Sequence, residues 1–150
     1  MPKKTKEQLN NAIRIGSYGE LLVQSFLAEH CQFVYPTCYG HPADLIVEMG
    51  NNSLFKVQVK SRNKSKEGKY AFPLENHRNQ AESHRTYHCD ILCFVFLPSK
   101  RFIFKPNTTQ QKYYIFTDKH VSEGVELTSK CNNGFFLSIE VTFLLQSVSK

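Results

Sequence analysis

The sequence predicts an α/β protein in which a mixed central β-sheet is flanked by helices. Three observations support this: a helical apolar pattern opens the chain, two β-rich segments surround a turn at Gly50, and the apolar run ILCFVFLP resembles a strand buried on both faces. The order of helix, three strands, helix and strand places the sheet between layers of helices. With 150 residues and neither an internal repeat nor a linker, the chain is expected to form a single domain over residues 1–150.

The opening helix is predicted from about Leu9 to His30. Its apolar residues recur at helical spacing, and they are Ile13, Ile15, Tyr18, Leu21, Leu22 and Phe26. Gly16 and Gly19 interrupt the pattern at a cost of about 1 kcal/mol each relative to alanine. Because glycine has no side chain, we expect a strand or a phosphate backbone to come close to the helix there. Glu20 lies four residues after Gly16 and so faces the same side.

A short strand, QFVYP, is predicted to end at Pro36, and a loop and a β-hairpin follow it. The hairpin strands are ADLIVEM and SLFKVQVKS, joined by the turn sequence GNN. Because side chains alternate along a strand, Gln58 and Lys60 share one side, and Asp44 on the partner strand can lie beside them. The hairpin therefore gathers a carboxylate, an amide oxygen and an ammonium group in one patch.

Past the hairpin, a polar and basic stretch is expected to form a loop and then a mostly solvated helix from about Leu74 to Tyr87. The apolar run follows as a buried strand. Two further strands are predicted at RFIFK and YYIFTD, with a loop at PNTT between them. The apolar segment from Phe135 to Val148 could form a strand, a helix or both in succession.

The composition is that of an ordinary soluble protein, with 41% hydrophobic and 21% charged residues. No apolar run approaches the roughly 18 residues that cross a bilayer, and the first residues lack an apolar secretory segment, so we expect a cytoplasmic protein with no membrane partner. The five irregularly spaced cysteines are expected to be reduced. The 19 basic residues exceed the 13 acidic ones, and the net charge of +6 favours a polyanionic partner.

The polar patch on the hairpin has the composition of a magnesium site for phosphodiester hydrolysis. Mg²⁺ prefers oxygen ligands, typically one or two carboxylates with water and substrate phosphate. Asp44, the side-chain oxygen of Gln58 and the carbonyl of Val59 can supply protein ligands, and Glu20 can reach the site directly or through water. Lys60 would hold the attacking water or stabilise the charge that grows on the phosphoryl oxygens.

Each of these side chains also has an ordinary structural interpretation. Asp44 follows a proline closely and could form an Asx turn. Gln58 and Lys60 could form a solvated strand face, and Glu20 a solvated helix face. Their combination on the predicted elements favours a catalytic site.

Three motifs follow one another in a set order: Gly19-Glu20, then Pro42-Ala43-Asp44-Leu45-Ile46-Val47, then Gln58-Val59-Lys60-Ser61. Over residues 10–98 this arrangement resembles the PD-(D/E)XK, or restriction-endonuclease-like, nuclease superfamily. Within it, the length, the basic character, the Gln-x-Lys variant and the aromatic-rich C-terminal part are most similar to the small homing endonucleases encoded in cyanobacterial group I introns. Gln58 departs from the common pattern, in which an acid occupies this position.

The resemblance implies an α-β-β-β-α-β core with an aromatic-rich C-terminal extension, about residues 99–150, for oligomerisation or DNA contact. It implies a magnesium-dependent endodeoxyribonuclease, with Mn²⁺ able to substitute, that cuts both strands of a long, specific duplex target. The catalytic residues would be Glu20, Asp44, Gln58 and Lys60. The partners would be double-stranded DNA and further copies of the chain, in a dimer or a tetramer, and the location the bacterial cytoplasm with the nucleoid DNA.

Side chains suited to DNA occur in two stretches after the hairpin. The first directly follows Lys60 and would contact phosphates, and the second contains amide and guanidinium groups that can reach base edges. With the open glycine of the helix, the predicted DNA-binding residues are Gly16, Ser61, Arg62, Asn63, Lys64, Lys66, Lys69, His77, Arg78, Asn79, Gln80 and Arg85.

Alternatives remain open at this point. A zinc site could use His84 and His88, one helical turn apart, with Cys89 and Cys93, but without a CxxC pair we expect no zinc. A Holliday-junction resolvase or repair nuclease of the same fold would select branched DNA rather than a sequence. A DNA-binding module without catalysis is the alternative from another class, and the intact acids and lysine argue against it. The aromatic residues of the C-terminal third could form a subunit interface or ordinary core.

Overall fold

The computed structural model describes residues 2–38, 41, 43–48, 54–73, 89–107, 113–123 and 125–126. These residues form a mixed six-stranded sheet, a separate two-stranded sheet and two helices, which confirms the predicted α/β class. The elements are α1 (Lys6–His30), β1 (Phe33–Pro36), β2 (Leu45–Glu48), β3 (Leu54–Arg62), β4 (Lys69–Pro73), β5 (Ile91–Phe96), β6 (Arg101–Pro106), β7 (Tyr113–Thr117), α2 (Asp118–Glu123) and β8 (Val125–Glu126). In this part of the chain no helix combines the length and apolar character needed to cross a membrane.

The large sheet has the strand order β1-β2-β3-β5-β6-β8. β2 and β3 pair antiparallel, as the predicted hairpin requires, with Leu45 opposite Val57. β3 and β5 pair parallel, and the other pairs described in this sheet are antiparallel. Parallel neighbours need a long crossover, which here spans the polar stretch between them. The turn of the hairpin and the predicted helix from Leu74 to Tyr87 lie outside the described residues.

Helix α1 begins at Lys6, earlier than the predicted Leu9, because Thr5 and Gln8 form a capping box. The Gln8 backbone N–H donates to Thr5 Oγ1 at 3.2 Å, and the Thr5 N–H donates to Gln8 Oε1 at 2.9 Å. Every residue of Lys6–Arg14 is exposed, so the first turns of α1 extend beyond the sheet. The helix meets the sheet only from Ile15 onward.

Replacing Thr5 by alanine should therefore loosen the start of α1 without weakening the whole domain. Loss of an N-cap costs about 1 kcal/mol of helix stability, but the affected turns carry no buried side chain. Hydrogen exchange should show faster amide exchange in Lys6–Arg14, while the chemical unfolding midpoint stays within error of the wild type. Thr5→Ser keeps the cap and is the control. A drop of the full ~1 kcal/mol in global stability would show that these turns pack against the domain.

The apolar stripe of α1 differs in part from the predicted one. Phe26 is buried as predicted, together with Val23 and Leu27, and Ile15 and Leu22 pack at the margin of the same core. The prediction was wrong for three residues of the stripe, which are exposed: Ile13 (67%), Leu21 (62%) and Tyr18 (44%). Ile13 also lies in the turns that extend beyond the sheet, where no strand can cover it.

Strand β5 separates two apolar cores, and all six of its residues are buried, as predicted for ILCFVF. Ile91, Cys93 and Val95 face the core under α1, whereas the alternate residues face the opposite side of the sheet. The second core is aromatic, with Phe94 4.9 Å from Phe72 and 5.0 Å from Phe116 between ring centroids. β5 is thus the centre of a three-layer structure.

The layer opposite α1 consists, in the described residues, of β4, β7 and α2. β7 was predicted, but β4 lies within the stretch predicted as a loop, and α2 was not predicted. Of the C-terminal aromatic residues, Phe102 and Phe116 are core residues, whereas Tyr113 is 53% exposed. The segment from Phe135 to Val148 lies outside the described residues.

Candidate active site

Asp44 lies at the entrance of β2, and backbone contacts with β3 fix its position. Its N–H donates to the Val57 carbonyl at 3.0 Å, and its Oδ2 accepts from the Val59 N–H at 2.8 Å. Because Leu45 pairs with Val57, continuing the register by one residue places Asp44 opposite Gln58. The carboxylate is therefore held directly beside the strand that carries the predicted Gln58 and Lys60.

Two side chains of the loop before β2 hold the backbone next to Asp44. The Thr37 hydroxyl donates to the Ala43 carbonyl at 2.5 Å, and the Thr37 N–H donates to the Asp44 carbonyl at 3.1 Å. His41 Nδ1 accepts from the Ala43 N–H at 3.0 Å. Neither Thr37 nor His41 was selected from the sequence. The available signal was the density of polar residues in TCYGHPAD, the loop that delivers the acid.

Glu20 reaches the site because α1 packs closely on β3 at Gly19. A Cβ atom on Gly19 would lie 1.7 Å from Ser61 Oγ and 2.8 Å from Ser61 Cβ, so a larger residue does not fit without movement. Gly16 has no such neighbour within 4 Å. The predicted close approach of a strand is therefore confirmed at Gly19, and Gly16 is open.

The two carboxylates influence each other's charge. Burial, followed by the negative charge of Asp44, raises the pKa of Glu20 above its ordinary value. Burial also raises the pKa of Asp44, although the Val59 N–H and the Lys60 ammonium oppose the shift. The structure thus brings Asp44 within electrostatic range of both Glu20 and Lys60.

Gln58 presents a polar atom that no described residue satisfies. Its Oε1 is buried and lacks a hydrogen-bond partner, and the same holds for Ser61 Oγ farther along the same strand. An unpaired buried acceptor costs about 1–3 kcal/mol. A bound cation or water at Gln58 Oε1 would remove this cost.

A cavity of about 500 Å³ opens beside Glu20 and Asp44. Ser17 and Gln24 line it from α1, while Thr37 and His41 line it from the connection between β1 and β2. The cavity gives solvent and a ligand access to the two acids. The charged residues of the cavity, Glu20 and Asp44, were predicted from the sequence, whereas its neutral polar residues were not.

Comparison with solved structures identifies the fold. The structure of a bacterial homing endonuclease, I-Ssp6803I, matches with a TM-score of 0.56 and 16% identity, over 89% of this chain and 86% of that chain. The chain has the restriction-endonuclease-like fold. A Holliday junction resolvase from Archaeoglobus fulgidus, Hjc, matches with a TM-score of 0.47 and 15% identity, over 74% of this chain and 90% of that chain. No protein-family model and no curated protein matches the sequence.

The residues of this candidate site fit a hard divalent cation. Glu20 and Asp44 offer carboxylate oxygens, and the buried, unpaired Gln58 Oε1 offers a neutral oxygen. Hard cations prefer oxygen ligands of both kinds. The described residues contain no cluster of three or more His, Cys, Asp and Glu side chains. The donor set is therefore two acids with an amide, which suits Mg²⁺ or Mn²⁺ better than a thiophilic metal.

The predicted DNA-binding residues are placed in different surroundings. Arg62, Asn63, Lys64, Lys66 and Lys69 are exposed. Ser61 packs on Gly19. The exposed Arg62 also contacts β4, because its guanidinium lies 5.3 Å from the Phe72 ring centroid and its Nε donates to the Ala71 carbonyl at 3.1 Å. The residues outside the described part of the chain are His77, Arg78, Asn79, Gln80 and Arg85.

The basic stretch after β3 ends in an ordered tight turn. Lys66 and Lys69 exchange backbone hydrogen bonds of 2.9 and 3.0 Å, and Glu67 and Gly68 between them both have positive φ angles, 54° and 72°. This is the pattern of a two-residue hairpin turn. The turn presents its lysines to solvent at the start of β4.

Cys89 and Cys93, considered above for zinc, lie in different cores. Cys93 packs under α1, and Cys89 packs on the opposite side of the sheet. Burial raises the pKa of the Cys89 thiol to about 12, and it raises that of Cys93 well above its ordinary value. Zinc binds the thiolate form, which burial disfavours at both positions. The partner histidines, His84 and His88, lie outside the described residues.

Proposed function

We propose that the protein is a metal-dependent, sequence-specific DNA endonuclease of the homing type that cuts both strands of a long duplex target. The observation that supports this most directly is the position of Asp44, which lies within electrostatic range of Glu20 and of Lys60 and opposite Gln58 with its unpaired oxygen, while Glu20 and Asp44 line a cavity in a nuclease fold. The net charge of +6 suits a nucleic acid partner.

The cation would be held by Asp44, Glu20, the Gln58 side-chain oxygen and the Val59 carbonyl. Bound Mg²⁺, for which Mn²⁺ can substitute, supplies Lewis acidity at a phosphoryl oxygen and lowers the pKa of a coordinated water. The contact between Val59 N–H and Asp44 Oδ2 keeps one carboxylate in a fixed orientation. Burial raises the pKa of both acids, and the negative charge of Asp44 adds to the shift of Glu20, so a cation beside the two carboxylates would favour their charged forms.

Lys60 stabilises the negative charge that develops on the phosphoryl oxygens, or holds the attacking water. Its ammonium group already acts on Asp44 from the strand position two residues beyond Gln58. Gln58 in place of an acid gives the site one fewer negative charge. The free protein should therefore hold a cation less tightly, but should also repel an approaching phosphate less.

DNA would be bound along the surface near the site. The exposed Asn63, Lys64, Lys66 and Lys69 can contact phosphates, and Gly16 leaves an open surface on α1. The second predicted stretch, from His77 to Arg85, would contact base edges. Arg62 is exposed at the end of β3 and can also contact a phosphate, whereas the buried Ser61 hydroxyl would act by supporting β3 where it packs on Gly19.

Cutting two strands needs two active sites, so the working unit would be a homo-oligomer, a dimer or a tetramer. One subunit has a radius of gyration of about 15 Å, which covers about one turn of duplex at roughly 3.4 Å per base pair. We expect this enzyme in the bacterial cytoplasm, encoded in a group I intron, with residues about 99–150 contributing to assembly, to DNA contact or to both. A monomer by light scattering at working concentration would contradict the assembly.

Digestion of a random duplex library with Mg²⁺, followed by sequencing of the cut ends, tests the proposal. The expected result is cleavage at one long consensus, lost when a chelator is added. A four-way junction of unrelated sequence is digested in parallel. Cutting of the junction but not of the library would favour a structure-selective resolvase, and binding to DNA without any metal-dependent cleavage would favour a non-catalytic module.

A further inference from the structure

The cavity beside the two acids contains a hydrogen-bond donor that the proposed chemistry does not use. His41 is half-buried on the cavity wall formed between β1 and β2. Its Nδ1 lies 3.0 Å from the Ala43 nitrogen and 3.1 Å from the Ala43 carbonyl oxygen. That carbonyl already accepts from the Thr37 hydroxyl at 2.5 Å. The ring is thus anchored through one nitrogen to the residue before Asp44.

These contacts favour one neutral tautomer of the ring. Nδ1 lies within reach of a donor, the Ala43 N–H, and of an acceptor, the Ala43 carbonyl, so the tautomer decides its role. A proton on Nδ1 would leave the Ala43 N–H without its acceptor, whereas the Ala43 carbonyl already accepts from the Thr37 hydroxyl, so we expect the proton of neutral His41 on Nε2. Nε2–H is therefore a fixed donor, and no described residue accepts a hydrogen bond from it.

The cavity has the size and polarity to take part of a nucleotide. Its volume of about 500 Å³ lies within the usual range for small-molecule sites. Ser17 and Gln24 add neutral polar groups on the α1 side, and the two acids lie at the end where the cation would bind. A DNA strand that is cleaved beside Asp44 has a further phosphate next to the cleaved one. Neutral hydrogen-bond donors can bind that neighbouring phosphate without adding a positive charge that would compete with the cation for the two acids.

We propose that the cavity is a subsite for the nucleotide next to the cleaved bond, and that His41 Nε2–H donates to its phosphate group. The inference rests on the proposed function and adds the residue that would place the substrate strand. In this role Nδ1 fixes the ring on the Ala43 backbone, and Nε2 faces the substrate. His41 would then bind DNA by a directed contact rather than by charge.

Two substitutions separate these roles of the ring. In His41→Asn the amide oxygen can accept from the Ala43 N–H in an Asx turn, but the donor corresponding to Nε2–H is lost. His41→Ala removes both groups. We expect His41→Asn to be as stable as the wild type and to cleave roughly 10- to 100-fold less efficiently, chiefly through KM, as for a lost hydrogen bond to a charged group. His41→Ala should be less stable as well.

Methylphosphonate substitution locates the contact on DNA. Once the target is known, each phosphate flanking the cut is replaced in turn by the neutral analogue. Wild-type cleavage should fall at one neighbouring position at which His41→Asn shows no further loss. Equal losses for both proteins at every position, or wild-type efficiency of His41→Asn, would overturn the subsite.

A readout without catalysis tests the tautomer. In protein with ¹⁵N-labelled histidine, the His41 signals should show an unprotonated Nδ1 and a protonated Nε2, and a protonated Nδ1 would contradict the inference. A wild-type protein that cuts no DNA with Mg²⁺ would overturn the proposed function and the subsite with it. Normal wild-type cleavage with an unaffected His41→Asn would overturn the subsite alone.

Discussion

Replacing Asp44 by asparagine is expected to reduce DNA cleavage by roughly 10³-fold, the range for removing a group that acts on the transition state, while specific binding is retained. Asparagine keeps an oxygen for the Val59 N–H, so the backbone contact at 2.8 Å can persist. What is lost is the negative charge that would hold the cation. Lys60→Ala should have a similar effect on cleavage, since it removes the charge that would face the phosphoryl oxygens.

The same substitution should make the protein more stable at neutral pH. The folded state raises the pKa of Asp44 above its ordinary value of 3.8, so folding favours the protonated form. The corresponding stability is complete below pH 3.8 and is lost as the pH rises through the higher folded pKa. The asparagine side chain stays neutral at every pH, and the substitution also removes the charge that raises the pKa of Glu20. The stability gain of Asp44→Asn should therefore grow from acid to neutral pH.

Urea unfolding at several pH values, with cleavage measured on the same samples, checks the predicted changes in stability and in cleavage. Glu67→Gln makes the same change of charge on an exposed turn and should measurably alter neither the free energy of unfolding nor the cleavage rate. Mg²⁺ should raise the melting temperature of the wild type but not of Asp44→Asn, because a cation stabilises only the state that binds it. Cleavage at the wild-type rate, or a stability gain independent of pH, would contradict the assignment of Asp44.

Gly19→Ala is expected to destabilise the domain by about 1–3 kcal/mol, as overpacking does in a filled core. The Ser61 hydroxyl can rotate away from the new methyl group, but Ser61 Cβ, 2.8 Å from it, moves only with the strand. For a chain of this size the melting temperature should fall by roughly 2–10 °C. Glu20 follows Gly19 directly, so cleavage should fall as α1 is displaced from β3.

Gly16→Ala is the matched control on the same helix. No atom lies within 4 Å of the added methyl group, so the helix should gain about 0.5–1 kcal/mol from the better helix former. Ser61→Gly introduced into Gly19→Ala should restore much of the lost stability. If the two alanine variants were equally stable, the close contact between α1 and β3 would be wrong. Reduced DNA affinity of a stable Gly16→Ala variant would support the predicted DNA contact there.

The strands with a clear apolar pattern could be predicted from the sequence. ILCFVF is apolar at every position, and the hairpin around Gly50 combines alternation with turn residues, so both were placed correctly. β4 was missed because large apolar residues alternate with smaller or polar ones in KYAFP over only five residues, between a lysine-rich loop and a proline. The start of α1 was missed because the capping box precedes the first apolar residue, Leu9, which is itself 50% exposed.

Much of the candidate site could also be predicted, because its charged residues occur at informative spacings. The proximity of Asp44 to Gln58 follows from hairpin register alone, whereas that of Glu20 depends on the packing of Gly19 against Ser61. His41 and Thr37 could not be selected, since their role is to hold backbone groups whose position depends on the folded loop. The contact of the Arg62 side chain with the Phe72 ring likewise depends on β4, which was not predicted.

The parallel pairing of β3 with β5 has a consequence for the folding pathway. The β2–β3 hairpin is local, but the contact from the Lys56 N–H to Asp90 Oδ2, at 2.8 Å, joins residues 34 positions apart. Pairing of such distant residues slows folding, because the chain loses the entropy of closing a long loop before the stabilising contacts between the strands form. We therefore expect Asp44 and Gln58 to meet early, in a nascent hairpin. The environment that raises the pKa of Asp44 would arise later, when β5 and α1 have docked.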